Sequence, residues 1–207
     1  GGRTIFGGNG PSSQAEALIN TALSYVNYRE KRSNSNLERP NSNTGNGNFT
    51  IFTKTYNDAM GTSFGGVSWC AIFVSVMFIE TFGVDAAKKM LCGNLFSACS
   101  TGMDMFRRSN RFVTSDPEPG DIAFMNFGGG GGSDHVGIVI ADNGDGTIST
   151  VEGNTTNPSN SSQEGVYKKT RSKKYILGYG RPYYDGATVL SKKNLSGNTS
   201  DDKTFSL

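Results

Sequence analysis

The stretch "GVSWCAIFVSVMFIETFG", residues 66–83, contains the longest apolar run of the chain. Its hydrophobic side chains would occupy nearly every side of a helix, so we predict a buried central helix over residues 68–82. Ser68 is a suitable N-cap and Gly83 a suitable C-terminal stop. Cys70 would then lie in the first turn, where the helix dipole favours a reactive thiolate. An ordinary buried cysteine is the alternative interpretation of the same segment.

Length and charge limit the possible functions. The 207 residues suffice for one domain with a sizeable core. A net charge of +2 is too small to indicate a nucleic-acid partner. The apolar run is shorter than the ~20 residues that a membrane span needs. We therefore predict that the chain neither binds nucleic acid nor spans a membrane. We also expect a monomer.

The chain has a single histidine, His135, and three cysteines. Zinc-dependent hydrolases draw several ligands from histidine, so one histidine argues against a metal enzyme, and we predict no metal and no cofactor. Cys92 and Cys99 could form a disulfide across their short loop or remain two half-buried thiols, and we favour the thiols. Cys70 is unpaired in either case.

The first half of the chain has helical features. Apolar residues at helical spacing predict an amphipathic helix over 14–29. The Asn-, Ser- and Gly-rich segment 33–48 predicts a loop. Residues 49–60 fit a short helix or an extended segment equally well. Two further helices are expected over 85–91 and 98–109.

After Gly120 the periodicity changes from helical to extended. Short β-branched and aromatic segments alternate with turns rich in Gly, Asn and Asp, which predicts strands. The glycine-rich residues 127–134 are expected to form a flexible loop. Helices followed by strands predict an α+β fold, with the helices packed on an antiparallel sheet of about five or six strands. The strand segments are 121–127, 135–142, 146–154, 165–171 and 176–184.

A predicted hairpin brings the histidine near a carboxylate. Asn143 and Gly144 form the dipeptide that two-residue type I′ turns prefer. Counting outward from that turn sets His135 directly opposite Glu152, so the two side chains share a face of the sheet. Asn154 points to the same face. A carboxylate beside an imidazole is the arrangement that orients a catalytic histidine.

Two other motifs are weaker. The segment "DNGDGTISTVEG", residues 142–153, resembles a calcium-binding loop, but glycines stand where such a loop needs oxygen ligands. The five glycines at 128–132 are not followed by the Lys-Ser/Thr of a phosphate-binding loop. We interpret the first as a hairpin and the second as a mobile rim of a substrate groove.

Five motifs in order carry a family resemblance over roughly residues 14–184. The chain resembles a CHAP domain, the cysteine, histidine-dependent amidohydrolase/peptidase family of the papain-like, NlpC-type superfamily. The resemblance implies a papain-like fold. The motifs are "WCAIFVS" (69–75), "PGDIAFM" (119–125), "DHVGIVI" (134–140), "TVEGNT" (150–155) and "LGYGRPYY" (177–184).

The resemblance also assigns catalytic roles to residues that match the family motifs. It implies that Cys70 is the nucleophile, His135 the general base, Glu152 the orienting acid and Asn154 a further polar residue of the site. Several phage members have Gln directly before the cysteine as an oxyanion donor, whereas this chain has Trp69 there.

The oxyanion donor is consequently open: the Cys70 backbone N–H is the first candidate, and a side chain such as Tyr56 is an additional one. We expect Trp69, Tyr56 and Asp134 to contact the substrate.

By the same resemblance, the substrate is bacterial peptidoglycan, cut either as an N-acetylmuramoyl-L-alanine amidase or as an endopeptidase. That implies a location outside the cell or in the wall, in a phage lysin or a bacterial enzyme. One alternative is a non-catalytic wall-binding module on the same scaffold. Another is a papain-like protease of ordinary proteins.

The expected domain organisation has three parts. Residues 1–13 would form an N-terminal extension and 14–184 the catalytic domain. Residues 185–207 lack core periodicity and would form a tail or a linker to a wall-binding or other domain.

Overall fold

The apolar run becomes the central helix of an α+β fold. The structure is a computed structural model and describes residues 11–190. Its helices in that range are α1 (Ser13–Ser24), α2 (Ile51–Met60), α3 (Cys70–Phe82), α4 (Val84–Met90) and α5 (Cys99–Arg108). Its strands are β1 (Phe112–Val113), β2 (Ile122–Met125), β3 (His135–Asp142), β4 (Thr147–Asn157), β5 (Asn160–Ser172) and β6 (Ile176–Gly180), with a short 3-10 turn at Lys173–Tyr175.

Helix α3 is buried on nearly all sides, as its composition predicts. It begins at Cys70, two residues later than expected, and the predicted N-cap at Ser68 is wrong. Trp69 holds the cap position and its side chain makes no capping hydrogen bond. Gly83 ends the helix, and its N–H donates to Ile79 O.

The remaining helices follow the sequence pattern with shifted ends. Helix α1 stops at Ser24 rather than at residue 29, because the chain turns there and Asn27 adopts a left-handed φ of 78°. The undecided segment 49–60 forms α2, whose first turn is capped by Thr50 Oγ1 accepting from Thr53 N–H. No helix or strand lies within residues 33–48, so the predicted loop is confirmed.

The strands form one antiparallel sheet of six in the order β1-β6-β2-β3-β4-β5. Five of them correspond to the predicted segments. Strand β1 was not predicted, because two residues are too few to show an alternating pattern.

The hairpin between β3 and β4 differs from the prediction. The loop spans residues 143–146, so the predicted two-residue turn is wrong, and Asp142 pairs with Ile148. Between the Ala141–Ser149 and Val139–Thr150 pairs, Ile140 is an extra residue that forms a β-bulge.

The hairpin register is therefore offset by three residues near the turn and by two residues beyond the bulge. Because side chains alternate with a period of two, the even offset leaves His135 and Glu152 on one face.

The helices cover one face of the sheet, and the main core lies between the helices and that face. Ile122, Phe124, Val136 and Ile138 point into that core. A smaller buried cluster of Ala123, Met125, Val139, Ile148 and Tyr179 packs separately, as expected for the alternate residues of the same strands. Helix α3 contacts β3 and β4, the strands that carry His135 and Glu152.

The domain boundaries stay a prediction. Residues 1–10 and 191–207, which contain most of the predicted extension and tail, lie outside the described residues. Within the described part, the Leu190 N–H donates to Thr81 O at the end of α3.

Candidate active site

Cys70 is the first residue of α3, and its side chain is buried. Backbone N–H groups in the first turn of a helix have no intrahelical acceptor and give that end a partial positive charge. Contact with the Cys99 thiol, followed by contact with His135, holds the pKa of the Cys70 thiol well below its ordinary value, although burial opposes this. The site therefore favours a thiolate at Cys70.

His135 begins β3 and contacts a buried carboxylate. Its Nε2 lies 2.7 Å from Glu152 Oε1, and the Glu152 side chain is 0% exposed. With Nε2–H donating to the carboxylate, the other ring nitrogen is left for the Cys70 sulfur. Burial lowers the pKa of His135, but the contacts with Cys70 and Glu152 outweigh it and raise the pKa to about 9.

An arginine that we did not predict from the sequence holds the carboxylate. Arg171 Nε donates to Glu152 Oε2 at 2.9 Å, and Arg171 Nη2 donates to Oε1 at 2.6 Å. Thr150 Oγ1 also donates to Oε2. Burial raises the pKa of Glu152, but the hydrogen bonds from Arg171 and His135 outweigh it and bring the pKa down to about 2.

The register of β5 explains how Arg171 reaches its partner. Arg171 pairs with Ile148, and Glu152 pairs with Tyr167, so the arginine starts four residues away along β4 on the same face. Its long side chain covers that distance. A basic residue on the matching face of the next strand was the available signal, but it requires the β4–β5 register.

Gly137 leaves room for the contact between His135 and Glu152. Continuing the register of the Ile138–Val151 pair by one residue sets Gly137 opposite Glu152. A Cβ atom on Gly137 would lie 2.6 Å from Glu152 Cγ, closer than real contacts allow. The missing side chain lets Glu152 lean diagonally toward the histidine.

Asn154 contacts the head of α3 rather than the histidine. Its Oδ1 accepts from Trp69 N–H at 3.0 Å, and its Nδ2 donates to Asn48 Oδ1 at 3.2 Å. A left-handed φ of 52° aims the side chain there. Asn154 thus accepts the N–H of the N-cap residue, the group that the N3 side chain accepts in a capping box.

The three residues expected to contact substrate have different surroundings. The Trp69 ring is fully buried and stacks on Phe52 at 5.5 Å, so it supports the helix from the core. Tyr56 is also buried, with its hydroxyl against Ser97 and its ring 6.1 Å from that of Phe64. Both side chains are therefore buried, and their contact with substrate stays a prediction.

Asp134 is exposed and organises the glycine-rich loop. Its carboxylate accepts the backbone N–H groups of Phe127 and Gly128. The half-exposed ring of Phe127 lies 6.0 Å from the His135 ring, so this loop borders the site. Of the three predicted substrate residues, only Asp134 lies on an open edge.

All three cysteines are free thiols, which agrees with the favoured prediction for Cys92 and Cys99. No sequence pattern indicated that Cys99 approaches Cys70, yet their sulfur atoms are 3.5 Å apart. Among residues 11–190, no three His, Cys, Asp or Glu side chains group as a metal site. No helix in the same range has the length and apolar character to cross a membrane.

Comparison with known families agrees with this geometry. Residues 62–154 match the family model of the CHAP domain. This match agrees with the CHAP resemblance that the sequence motifs carry. The matched range includes Cys70, His135, Glu152 and Asn154, whereas Arg171 lies beyond it. The five helices and six antiparallel strands of residues 11–190 confirm the predicted α+β, papain-like CHAP architecture. The CHAP assignment supports a hydrolase of the amidase or peptidase kind.

The other comparisons add little to the CHAP assignment. The chain is similar to the crystal structure of Ly7917, with a TM-score of 0.42 and 15% sequence identity. The similarity covers 81% of this chain and 62% of that one. No curated protein matches the chain.

Proposed function

We propose that this protein hydrolyses an amide bond of bacterial peptidoglycan by a cysteine mechanism, outside the cell or in the wall. The observation that supports it is the contact series from Cys70 through His135 to Glu152, at the head of a buried helix. Thiol hydrolases use this order of nucleophile, base and orienting acid. The CHAP match supports the substrate class.

The reaction begins with the Cys70 thiolate and the His135 imidazolium. The thiolate attacks the carbonyl carbon of the amide, and free N–H groups in the first turn of α3 stabilise the oxyanion. The imidazolium then donates its proton to the leaving amine, and a thioester forms on Cys70. His135 next takes a proton from water, which hydrolyses the thioester and restores the thiolate.

Glu152 and Asn154 support this reaction from behind the reacting atoms. The Glu152 carboxylate fixes the orientation of the imidazole and stabilises its positive charge. Asn154 holds the Trp69 N–H, which fixes the backbone directly before the nucleophile. Both residues are therefore assigned positioning roles.

The first test is a Cys70→Ala variant assayed on purified peptidoglycan. Cys92→Ala is the matched control, because Cys92 is a partly buried thiol outside the site. We expect Cys70→Ala to fold and to lose at least about 1,000-fold in rate, as other enzymes do without their nucleophile. Turbidity clearing by Cys70→Ala equal to that of the control would rule out the mechanism.

Fragment analysis tests the substrate and the bond. Mass spectrometry of products from defined peptidoglycan separates an amidase, which releases the L-Ala amine, from an endopeptidase, which cuts within the stem or cross-bridge. A parallel casein assay tests general proteolysis. Wall binding without released fragments would favour the non-catalytic module instead.

A further inference from the structure

Two helix N-termini meet at the candidate nucleophile. Cys70 is the first residue of α3, and Cys99 is the first residue of α5, which has 10 residues. The two sulfur atoms are 3.5 Å apart, within hydrogen-bonding range for sulfur. The positive ends of two helices therefore face one pair of thiols.

The pair can hold only one negative charge. Two thiolates at this distance would repel each other strongly, so one sulfur keeps its proton. His135 contacts Cys70, which favours the charge there. Contact with Cys70 and burial both raise the pKa of the Cys99 thiol, so Cys99 remains the donor.

We propose that Cys99 is a positioning residue for the nucleophile, which donates its S–H to the Cys70 thiolate and holds that sulfur at the meeting point of α3 and α5. This inference rests on the proposed function, because it assigns a role to Cys99 within the same reaction. Cys99 never bonds to the substrate. Its hydrogen bond stabilises the charged form of Cys70 and limits rotation of the side chain.

The head of α5 is also linked to the histidine. Ser100 Oγ donates to Ser133 O at 3.4 Å, and Ser133 Oγ donates to His135 O at 2.9 Å. A Cβ atom on Gly132 would lie 3.0 Å from Ser100 Oγ, so the two segments pack closely. The same helix end therefore supports both the nucleophile and the base.

The test measures the pH dependence of Cys70 alkylation by iodoacetamide between pH 4 and 10. Mass spectrometry of the Cys70 peptide keeps this signal separate from the other thiols. The variants are Cys99→Ala, which removes the donor, and Cys99→Ser, which keeps a donor of similar size. Cys92→Ala is the matched control, because it removes a thiol that does not contact Cys70.

We expect Cys99→Ala to raise the alkylation midpoint of Cys70 by about one pH unit. The free energy by which a hydrogen bond stabilises a charged group typically corresponds to about one pKa unit or more. Cys99→Ser should keep most of the wild-type midpoint, and Cys92→Ala should leave it unchanged. The acid limb of kcat/KM should move with the midpoint.

Two results would overturn the proposal. One is an unchanged midpoint in Cys99→Ala. The other is an equal shift in the alanine and serine variants, which would indicate packing alone. Since alkylation needs no substrate, a shifted midpoint without peptidoglycan hydrolysis would reject the proposed function and retain the role of Cys99. Peptidoglycan hydrolysis with an unchanged Cys70 midpoint in Cys99→Ala would reject the role of Cys99 and retain the proposed function.

Discussion

At the scale of single residues, the site alternates charges along one line of contacts. In the proposed thiolate–imidazolium form, negative Cys70 contacts positive His135, and negative Glu152 lies between His135 and positive Arg171. The four charges sum to zero. An uncompensated charge in the interior costs several kcal/mol, so each member depends on its neighbours.

Arg171→Met tests that dependence, because methionine fills similar space without the charge. We expect the free energy of unfolding at pH 7 to fall by about 3–5 kcal/mol, since Glu152 loses its bidentate partner. Denaturant titration measures the change, and Lys168→Met on the exposed side of β5 is the matched control. Equal unfolding free energies in the two variants would show that the charge of Arg171 does not stabilise the fold.

At the scale of elements, the β3–β4 hairpin shows what the sequence could and could not predict. Short β-branched segments between turns located both strands, and counting outward from Asn143-Gly144 predicted the face that His135 and Glu152 share. The turn length was wrong, because Gly144 and Gly146 both adopt positive φ and support a longer loop. The bulge at Ile140 restored the predicted face, since an offset of three residues alone would have reversed it.

Gly137→Ala tests the diagonal contact that this register creates. The new Cβ atom would displace Glu152 and pull its carboxylate from His135. Misplacing a catalytic group by about 1 Å can cost about 100-fold in rate, and we expect a loss in kcat of that order. Gly65→Ala is the control, since a Cβ atom there would make only an ordinary 3.7 Å contact with the Phe49 ring. Equal peptidoglycan hydrolysis by both variants would contradict the geometric argument.

At the scale of the whole molecule, the sequence predicted the order of helices and strands and the residues of the family motifs. It did not predict Arg171, Gly137 or Cys99 as parts of the site. Arg171 and Gly137 reach the site through the strand register, and Cys99 reaches it because α3 and α5 approach each other. Both arrangements join segments that are distant along the chain, and local periodicity does not predict such contacts. The site is therefore a product of the packed fold as much as of its motifs.

The charge state of the whole site predicts its pH dependence. The proposed reaction requires a protonated His135, whose pKa is raised to about 9, and an ionised Cys70, whose pKa is well below its ordinary value. We expect kcat/KM to stay high through neutral pH and to fall as pH rises through about 9, measured as fragment release from peptidoglycan.

Glu152→Gln checks the assignment of that limb. The variant removes the negative charge that raises the pKa of His135, so the alkaline limb should move to lower pH. If the alkaline limb of kcat/KM stays at the same pH in Glu152→Gln, that limb reports the titration of a group other than His135.

The position of Arg171 on β5 also has a consequence for biosynthesis. The residues that hold the charges of the site come from positions 70, 135, 152 and 171, and the arginine leaves the ribosome last. Until β5 pairs with β4, Glu152 lacks its partner and His135 lacks a fixed orientation. We therefore expect a nascent chain in which β5 has not yet paired with β4 to lack the positioned base that the proposed reaction needs.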